Sequence, residues 1–209
     1  MRIAALLTGR GNNTLKDKNV LPVLGRPLCQ YPAMAAKNCR LITDFYVSSD
    51  DEKILSAAEE IGYKCIVRPA RLALPTAQHV DAIIHALGVM KEDGCEPDIL
   101  VVILANNAIT KTEWIEETIQ NLIDDPLLFD FKDKKISTNR QELPKNFIFC
   151  HNFWTLNLKN SLYSEVPGQQ PWTFMGARVK PVVVEESFDV HDMEDIIRTE
   201  KWLTTEGIK

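Results

Sequence analysis

The sequence predicts a three-layer α/β/α fold of the Rossmann-like kind, built around a mostly parallel sheet. Short apolar runs typical of strands alternate with longer segments of helical periodicity, which is the pattern of βαβ units. The run Ile-Leu-Val-Val-Ile-Leu at 99–104 is apolar throughout, as expected for a parallel strand with both faces covered. With 209 residues, 45% of them hydrophobic, we expect one domain over 1–209.

The elements follow from apolar periodicity along the chain. The predicted strands are 2–7, 44–48, 64–67, 99–104, 147–149 and 178–184, and the predicted helices are 31–38, 52–61, 77–91, 111–123 and 193–204. Either Asp50 or Asp51 is expected to be the N-cap of the second helix, because Ser and Asp favour that position. Ligands of such sheets bind beyond the carboxyl ends of the strands, so the segments that follow strands are the candidate site.

Composition excludes several classes of protein. The 24 Lys and Arg residues against 29 Asp and Glu give a net charge of −5, which argues against general nucleic-acid binding. No apolar segment approaches the ~18 residues needed to span a membrane. The five cysteines are scattered, without metal-cage spacing, and are expected to be small core hydrophobes in a reducing compartment. We therefore expect a cytoplasmic protein without membrane contact.

The loop after the first strand is the strongest candidate for binding phosphates. Gly9 and Gly11 allow close backbone approach and positive φ, while Arg10, Lys16 and Lys18 supply charged donors for a triphosphate. The loop matches neither G-x-x-x-x-G-K-[ST] nor G-x-G-x-x-G, so neither a P-loop nor a dinucleotide-binding motif is predicted. A plain surface loop remains the alternative, because turns favour the same residues.

Two later segments also follow strands and carry polar candidates. Arg68 comes directly after the strand 64–67, so it is expected at the ligand edge of the sheet, a surface arginine being the alternative. Thr76 opens the next predicted helix, whose N-terminus suits an anion. Asp189 and His191 occupy alternate positions after a predicted strand, so both side chains are expected on one face. A carboxylate beside a triphosphate indicates Mg²⁺. Since imidazole suits Mg²⁺ poorly, His191 is expected to bond a bound water, and Asp192 to cap the last helix.

Four ordered blocks of the chain carry a resemblance to a known family. They are Gly9-Arg10-Gly11 with Lys18-Asn19 and Pro22-x-x-Gly25-Arg26-Pro27-Leu28, then Val47 to Glu52, Arg68 to Ala77, and Phe188 to Asp192. They resemble the A-R-G-G-S-K…K-N-x-x-P-L-x-G-K-P-L, V-S-T-D-D-E, R-P-A-E-L-A-x-D-T-A and I-D-I-H-D motifs of the CMP-acidic-sugar synthetases, the acylneuraminate cytidylyltransferases. The resemblance implies a nucleotide-diphospho-sugar transferase fold and a homodimer.

The resemblance also implies a reaction and roles for the matching residues. CTP would activate a small acidic sugar as its CMP derivative, with release of pyrophosphate and with Mg²⁺ as cofactor. Catalysis in such transfers is chiefly positioning and charge neutralisation, so Arg10 and Lys18 are the predicted catalytic residues. The nucleotide-binding set is Gly9, Arg10, Gly11, Lys18, Asn19, Arg68 and Thr76. Asp189 matches a metal ligand of the family, and His191 is placed with it in the predicted metal site.

The chain departs from the family in the phosphate loop and in the segment that faces the acceptor sugar. The first loop is one residue shorter, and its S-K pair is replaced by Asn13-Thr14. The family's Q-P-T-S-P-L-R is replaced by Ala-Asn-Asn-Ala-Ile-Thr-Lys at 105–111, which predicts an altered acceptor pocket. The predicted acceptor-binding residues are Asn106, Asn107, His151 and Asn152, within or beside a dimerisation and acceptor region at about 125–180. Trp154 and Trp172 could instead be core or dimer-interface residues.

Three other functions stay compatible with the sequence. The acceptor could be a small phosphonate or another acid, which the changed segment 105–111 would suit. The nucleotide could be another NTP on the same fold. The chain could also be a non-catalytic nucleotide-binding homologue, a hypothesis favoured by the altered phosphate loop.

Overall fold

The computed structural model describes residues 1–11, 14–124, 152–158, 161, 182, 184 and 186–208. Its centre is a five-stranded sheet made of β1 (Ile3–Thr8), β4 (Asp44–Ser49), β5 (Lys64–Val67), β6 (Ile99–Leu104) and β7 (Phe153–Asn157). A separate small antiparallel hairpin is formed by β2 (Pro22–Val23) and β3 (Arg26–Pro27). The strand order is β5-β4-β1-β6-β7, and all pairs are parallel except β6 with β7. The mostly parallel sheet predicted from the sequence is confirmed.

Five helices in the described part of the chain cover the sheet and its loops. They are α1 (Gln30–Asn38), α2 (Glu52–Glu59), α3 (His79–Glu92), α4 (Thr112–Asp124) and α5 (Met193–Thr205). None of them is long and apolar enough to cross a membrane. Asp51 caps α2 by accepting from the Lys53 amide, and Asp192 forms a capping box with Asp195 at the start of α5, so both predicted caps are confirmed.

Alternate residues of the strands pack into two separate cores. Ala5, Leu7 and Val101 face one side, against α1, α2 and α4, while Leu6 and Val102 face the other, against α3. Burying one such aliphatic side chain contributes about 1.5–3 kcal/mol relative to leaving it in water. Helices on both faces of the sheet give the three layers that the strand pattern predicts.

The structure moves several predicted boundaries. The helix predicted from 77 begins at His79, because Gln78 is extended and the Ala77 amide closes a turn onto the Leu74 carbonyl at 3.0 Å. The helix predicted to 61 ends at Glu59, since Gly62 turns the chain with φ of 85°. The strand β7 was not predicted. The predicted strand 147–149, and all but residues 182 and 184 of the predicted strand 178–184, lie outside the described residues.

The cysteines in the described part of the chain mostly behave as predicted. Cys29, Cys39 and Cys95 are buried among apolar side chains. Cys65 is exposed on strand β5, so the expectation of a core position is wrong there, because β5 is the edge of the sheet in the part of the chain that the structure describes.

Candidate active site

A cavity of about 240 Å³ opens where β1, β5 and β6 end. Its lining includes Gly9 and Arg10 after β1, Arg68 after β5, and Ala105 and Asn106 after β6. Lys18 and Asn19 reach it from the 3₁₀ turn Lys18–Val20. The site therefore lies at the carboxyl edge of the sheet, where the sequence predicts it.

The two glycines of the first loop are needed for close approach. A Cβ on Gly9 would lie 3.0 Å from the Ala105 Cβ, and one on Gly11 would lie 2.5 Å from Asp51 Oδ2. The Gly11 amide donates to Asp50 Oδ1 at 3.1 Å. Neither Gly9 nor Gly11 has a positive φ, so that part of the expectation is wrong. Their small size lets the loop pack between the sheet and the start of α2.

Lys18 and Asn19 are buried in the cavity wall. Lys18 is only 8% exposed, and this burial lowers the pKa of its ammonium, although Asp189 acts in the opposite direction. Asn19 is 4% exposed, and its Nδ2 donates to the Arg10 carbonyl at 3.1 Å. Asn19 Oδ1 is buried and finds no hydrogen-bond partner among the described residues. Such an oxygen is costly unless a ligand donates to it.

Arg68 is held by the strand next to its own. The guanidinium is buried and donates from Nε to Ser48 Oγ at 3.2 Å and from Nη2 to the Ser48 carbonyl at 2.7 Å. Burial lowers the pKa of Arg68, Asp50 raises it, and the nearby Arg10 lowers it further. Arg68 therefore points into the cavity rather than to bulk solvent, as the sequence predicts.

The lining of the cavity carries positive charge. Arg10, Lys18 and Arg68 line it, and no carboxylate is among its lining residues in the described part of the chain, although the whole chain carries a net charge of −5. Like charges held together out of water favour an anionic ligand, which offsets their repulsion. Such a cluster can hold a triphosphate and stabilise charge that develops on phosphate oxygens.

Some predicted residues do not reach the cavity. Thr76 is exposed in the turn before α3 and does not line the cavity, whereas Ala77 and Gln78 do. Because α3 begins only at His79, Thr76 lies in the preceding turn and not at the helix N-terminus. His191 is exposed and also lies outside the lining. His151 lies outside the described residues.

The predicted acceptor amides divide into two kinds. Asn106 lines the cavity, and its carbonyl accepts from the Val190 amide at 2.9 Å. Asn107 and Asn152 are buried, and Asn107 Nδ2 donates to Asn152 Oδ1 at 2.6 Å. Neither of these two amides is part of the lining, since their hydrogen bonds are made within the fold. The expected direct contact of Asn107 and Asn152 with an acceptor is therefore not what the geometry favours.

Asp189 is not among the residues that line the cavity, but it lies within electrostatic reach of Lys18. Burial raises the pKa of its carboxyl, whereas a hydrogen bond from Asn107 and the charges of His191 and Lys18 lower it. No group of three or more His, Cys, Asp or Glu residues that could hold a metal ion occurs in the part of the chain that the structure describes. A single carboxylate nevertheless fits Mg²⁺, which usually takes one or two carboxylates together with phosphate oxygens and water.

Among the lining residues that the sequence did not mark, His79 makes the most specific contacts. His79, the first residue of α3, lines the cavity, and its Nε2 lies 3.0 Å from Thr8 Oγ1. The Thr8 hydroxyl donates to the Ile103 carbonyl at 3.2 Å, so it accepts from the imidazole. The His79 ring also packs on Trp154, with centroids 5.1 Å apart. No sequence signal marks His79, because all of these partners are remote along the chain.

Comparison with known proteins places this geometry in a family. A family model described as cytidylyltransferase matches residues 8–161. The 3-deoxy-manno-octulosonate cytidylyltransferase of Bdellovibrio bacteriovorus is 24% identical over 256 aligned residues, covering 100% of both chains. The N-acylneuraminate cytidylyltransferase of Escherichia coli O18:K1:H7 is 32% identical over 89 residues, which cover 42% of this chain and 21% of that protein.

A solved structure supports the same fold. The structure of CMP:2-keto-3-deoxy-manno-octonic acid synthetase complexed with CTP superposes with a TM-score of 0.52 at 21% identity, over 61% of this chain and 50% of that one. Since the family model also spans most of the sequence, the chain belongs to the cytidylyltransferase family of nucleotidyltransferases.

Proposed function

We propose that this protein transfers the cytidylyl group of CTP to a small acidic sugar of the octulosonic or nonulosonic acid kind and releases pyrophosphate. The observation that carries the proposal is the cluster of three cations around one cavity at the carboxyl edge of the sheet: Lys18 and Arg68 are buried, and Arg10 is half-buried. Relatives named for 3-deoxy-manno-octulosonate and N-acylneuraminate, and a similar fold solved with CTP, support the choice of substrates.

The phosphates of CTP are proposed to lie at the Lys18 end of the cavity. Arg10 and Lys18 would donate charge-assisted hydrogen bonds to the triphosphate, and the close approach of the backbone at Gly9, which lines the cavity, would bring it within reach of the phosphates. Gly11 does not line the cavity. These cations would stabilise the charge that grows on the phosphate oxygens during transfer. Arg10 and Lys18 are therefore the proposed catalytic residues.

The nucleoside is proposed to lie between the 3₁₀ turn and the start of α3. Asn19 Oδ1, buried without a partner among the described residues, would accept from an N–H or O–H of the nucleoside. Arg68, fixed by its two bonds to Ser48, would bind from the opposite wall. Thr76 is left out of this proposal, because it is exposed away from the cavity.

Enzymes of this family generally need a divalent metal. We propose that the ion is Mg²⁺ and that Asp189 holds it beside the phosphates, because this carboxylate is half-buried and lies within electrostatic reach of Lys18. When bound, Mg²⁺ would offset negative charge on the phosphate oxygens. His191, exposed beside Asp189, is proposed only as a partner of a bound water.

The proposed reaction is an in-line displacement at the α-phosphorus of CTP. An acceptor oxygen forms the new P–O bond, the bond to the β-phosphate oxygen breaks, and pyrophosphate leaves with that electron pair. Among the described residues, Asn106 is the acceptor candidate that lines the cavity. His151 and most of the proposed acceptor and dimerisation region at about 125–180 lie outside the described residues, so its role and the homodimer remain predictions.

The deciding experiment measures pyrophosphate release with CTP and Mg²⁺ across octulosonic acids, nonulosonic acids and small phosphonates. Release with one sugar acid and not with the others supports the proposal and identifies the acceptor class. Release with a phosphonate alone would favour the other acceptor class, which the changed segment 105–111 suits. Turnover with a different NTP would reassign the nucleotide. Measurable CTP binding without turnover of any acceptor would instead support a non-catalytic homologue.

A further inference from the structure

We infer that Asn107 is a positioning residue, which fixes the orientation of the Asp189 carboxylate. The inference rests on the proposed function, in which Asp189 holds the divalent cation. Asn107 Nδ2 donates to Asp189 Oδ1 at 3.1 Å. Among the described residues, Asn107 is the one side chain that hydrogen bonds to this carboxylate.

The orientation of the Asn107 amide is determined by its surroundings. Asn107 is fully buried just after β6, and its Oδ1 accepts from the Ile109 amide at 3.0 Å. A backbone N–H can only donate, so this bond keeps the Asn107 oxygen turned away from Asp189 and the NH₂ group turned toward it. The donor is thereby preset before any ligand binds.

Asn152 and Ser187 hold the amide from its other side. Asn152 Oδ1 accepts from Asn107 Nδ2 at 2.6 Å and also from the Ser187 hydroxyl. Asn152 Nδ2 donates to the Ile109 carbonyl at 3.0 Å, which fixes the orientation of this second amide as well. The network joins the end of β6, the start of β7 and the segment before α5, three parts of the chain that lie far apart in sequence.

An uncharged donor suits this position. A Lys or Arg bonded to Asp189 would neutralise the carboxylate and compete with a cation, whereas an amide orients it and leaves its charge intact. One carboxylate oxygen is engaged by Asn107, which leaves the second for a metal ion. Partners that orient a metal ligand in this way typically change metal affinity or activity by 10–100-fold when they are removed.

The test compares Asn107→Ala with Thr110→Val in the full chain. Thr110 lies in the same buried turn and its hydroxyl donates to the Asn107 carbonyl at 3.3 Å, so it controls for a general loosening of that turn. Mn²⁺ binding in the presence of CTP is followed by electron paramagnetic resonance, and KM for CTP and kcat are measured separately. We expect Asn107→Ala to weaken Mn²⁺ binding by roughly 10–100-fold with KM for CTP little changed. Thr110→Val should keep the parent's Mn²⁺ affinity.

Parent-like Mn²⁺ binding by Asn107→Ala, or an equal loss in Thr110→Val, overturns the inference. If Asn107→Ala does not fold, Ser187→Ala decides, since it removes one hydroxyl of the network, which donates to Asn152 and accepts from Asn107 Nδ2 at 3.3 Å. A smaller loss of Mn²⁺ affinity then supports the inference, and unchanged affinity overturns it. Asp189→Asn separates the two proposals: if that variant binds Mn²⁺ as the parent does, the metal site of the proposed function is wrong.

Discussion

Replacing Lys18 by Met tests whether burial of a cation in the cavity serves phosphate binding. Met keeps most of the aliphatic stem and removes the charge. Lys18 is 8% exposed, and its burial lowers the pKa of its ammonium more than any other cause changes it. The charged side chain is therefore held at a desolvation cost. Removing the charge should leave the melting temperature of the unliganded protein at or above that of the parent.

CTP binding should change in the opposite direction. A hydrogen bond to a charged group contributes about 1.5–3 kcal/mol, so Lys18→Met should weaken CTP binding by roughly 10-fold to 150-fold. The pH dependence of the stability difference has a definite direction. Because the pKa of Lys18 is lower in the folded state than in the unfolded chain, the cost is present at neutral pH and shrinks as pH rises toward the unfolded value near 10.4. Any stabilisation by Lys18→Met should shrink over the same range.

The matched control is Lys16→Met. Lys16 belongs to the same loop, but its side chain is exposed and does not line the cavity. Titration calorimetry with CTP and thermal melting of each variant without ligand give the two quantities. An equal loss of CTP affinity in Lys16→Met, or parent-like affinity in Lys18→Met, would refute the reasoning from burial.

Three further predictions follow from individual contacts. Arg68→Ala should raise KM for CTP at least about 10-fold, and an unchanged KM would remove Arg68 from the site. Gly11→Ala should lower the free energy of unfolding by about 1–3 kcal/mol in urea denaturation, because the new Cβ would lie 2.9 Å from the Asp51 Cβ. Gly88→Ala, with no atom within 4 Å, should instead be neutral or stabilise α3 by up to about 1 kcal/mol, and equal losses would contradict the steric argument. Hydrogen bonds from Arg2 lower the pKa of Asp44 to about 2. The parent should therefore be more stable than Asp44→Asn above pH ~4, and this difference should be lost as pH falls through about 2. A difference in stability that does not depend on pH would count against the ion pair.

The sequence predicts the sheet and the location of the site well. The strands 64–67 and 99–104 agree with the structure at both ends, and the first strand differs by one residue at each end. Asp51 and Asp192 were predicted as helix caps from local residue preferences. Arg10, Lys18 and Arg68 were predicted to lie together because each follows or adjoins the carboxyl end of a strand.

The tertiary structure decided which side chains share the cavity. Strand β7 was not predicted, because it pairs with β6, about fifty residues earlier, and packs against the helices α3 and α4. Lys16 and Lys18 look alike in the sequence, yet only Lys18 is buried. Asn107 was expected to face an acceptor, and its contact with Asp189 spans 82 residues.

The difference between what the sequence predicts and what the tertiary structure decides has a physical cause. Periodicity, capping and turn residues act between near neighbours, so a sequence determines strands, helices and the edge of the sheet at which ligands bind. Burial of a charge or an amide depends instead on segments that meet only after the chain has folded. The sequence by itself therefore determined the sheet and the edge at which ligands bind, whereas only the tertiary structure decided that Lys18 is buried and that the Asn107 amide hydrogen bonds to Asp189.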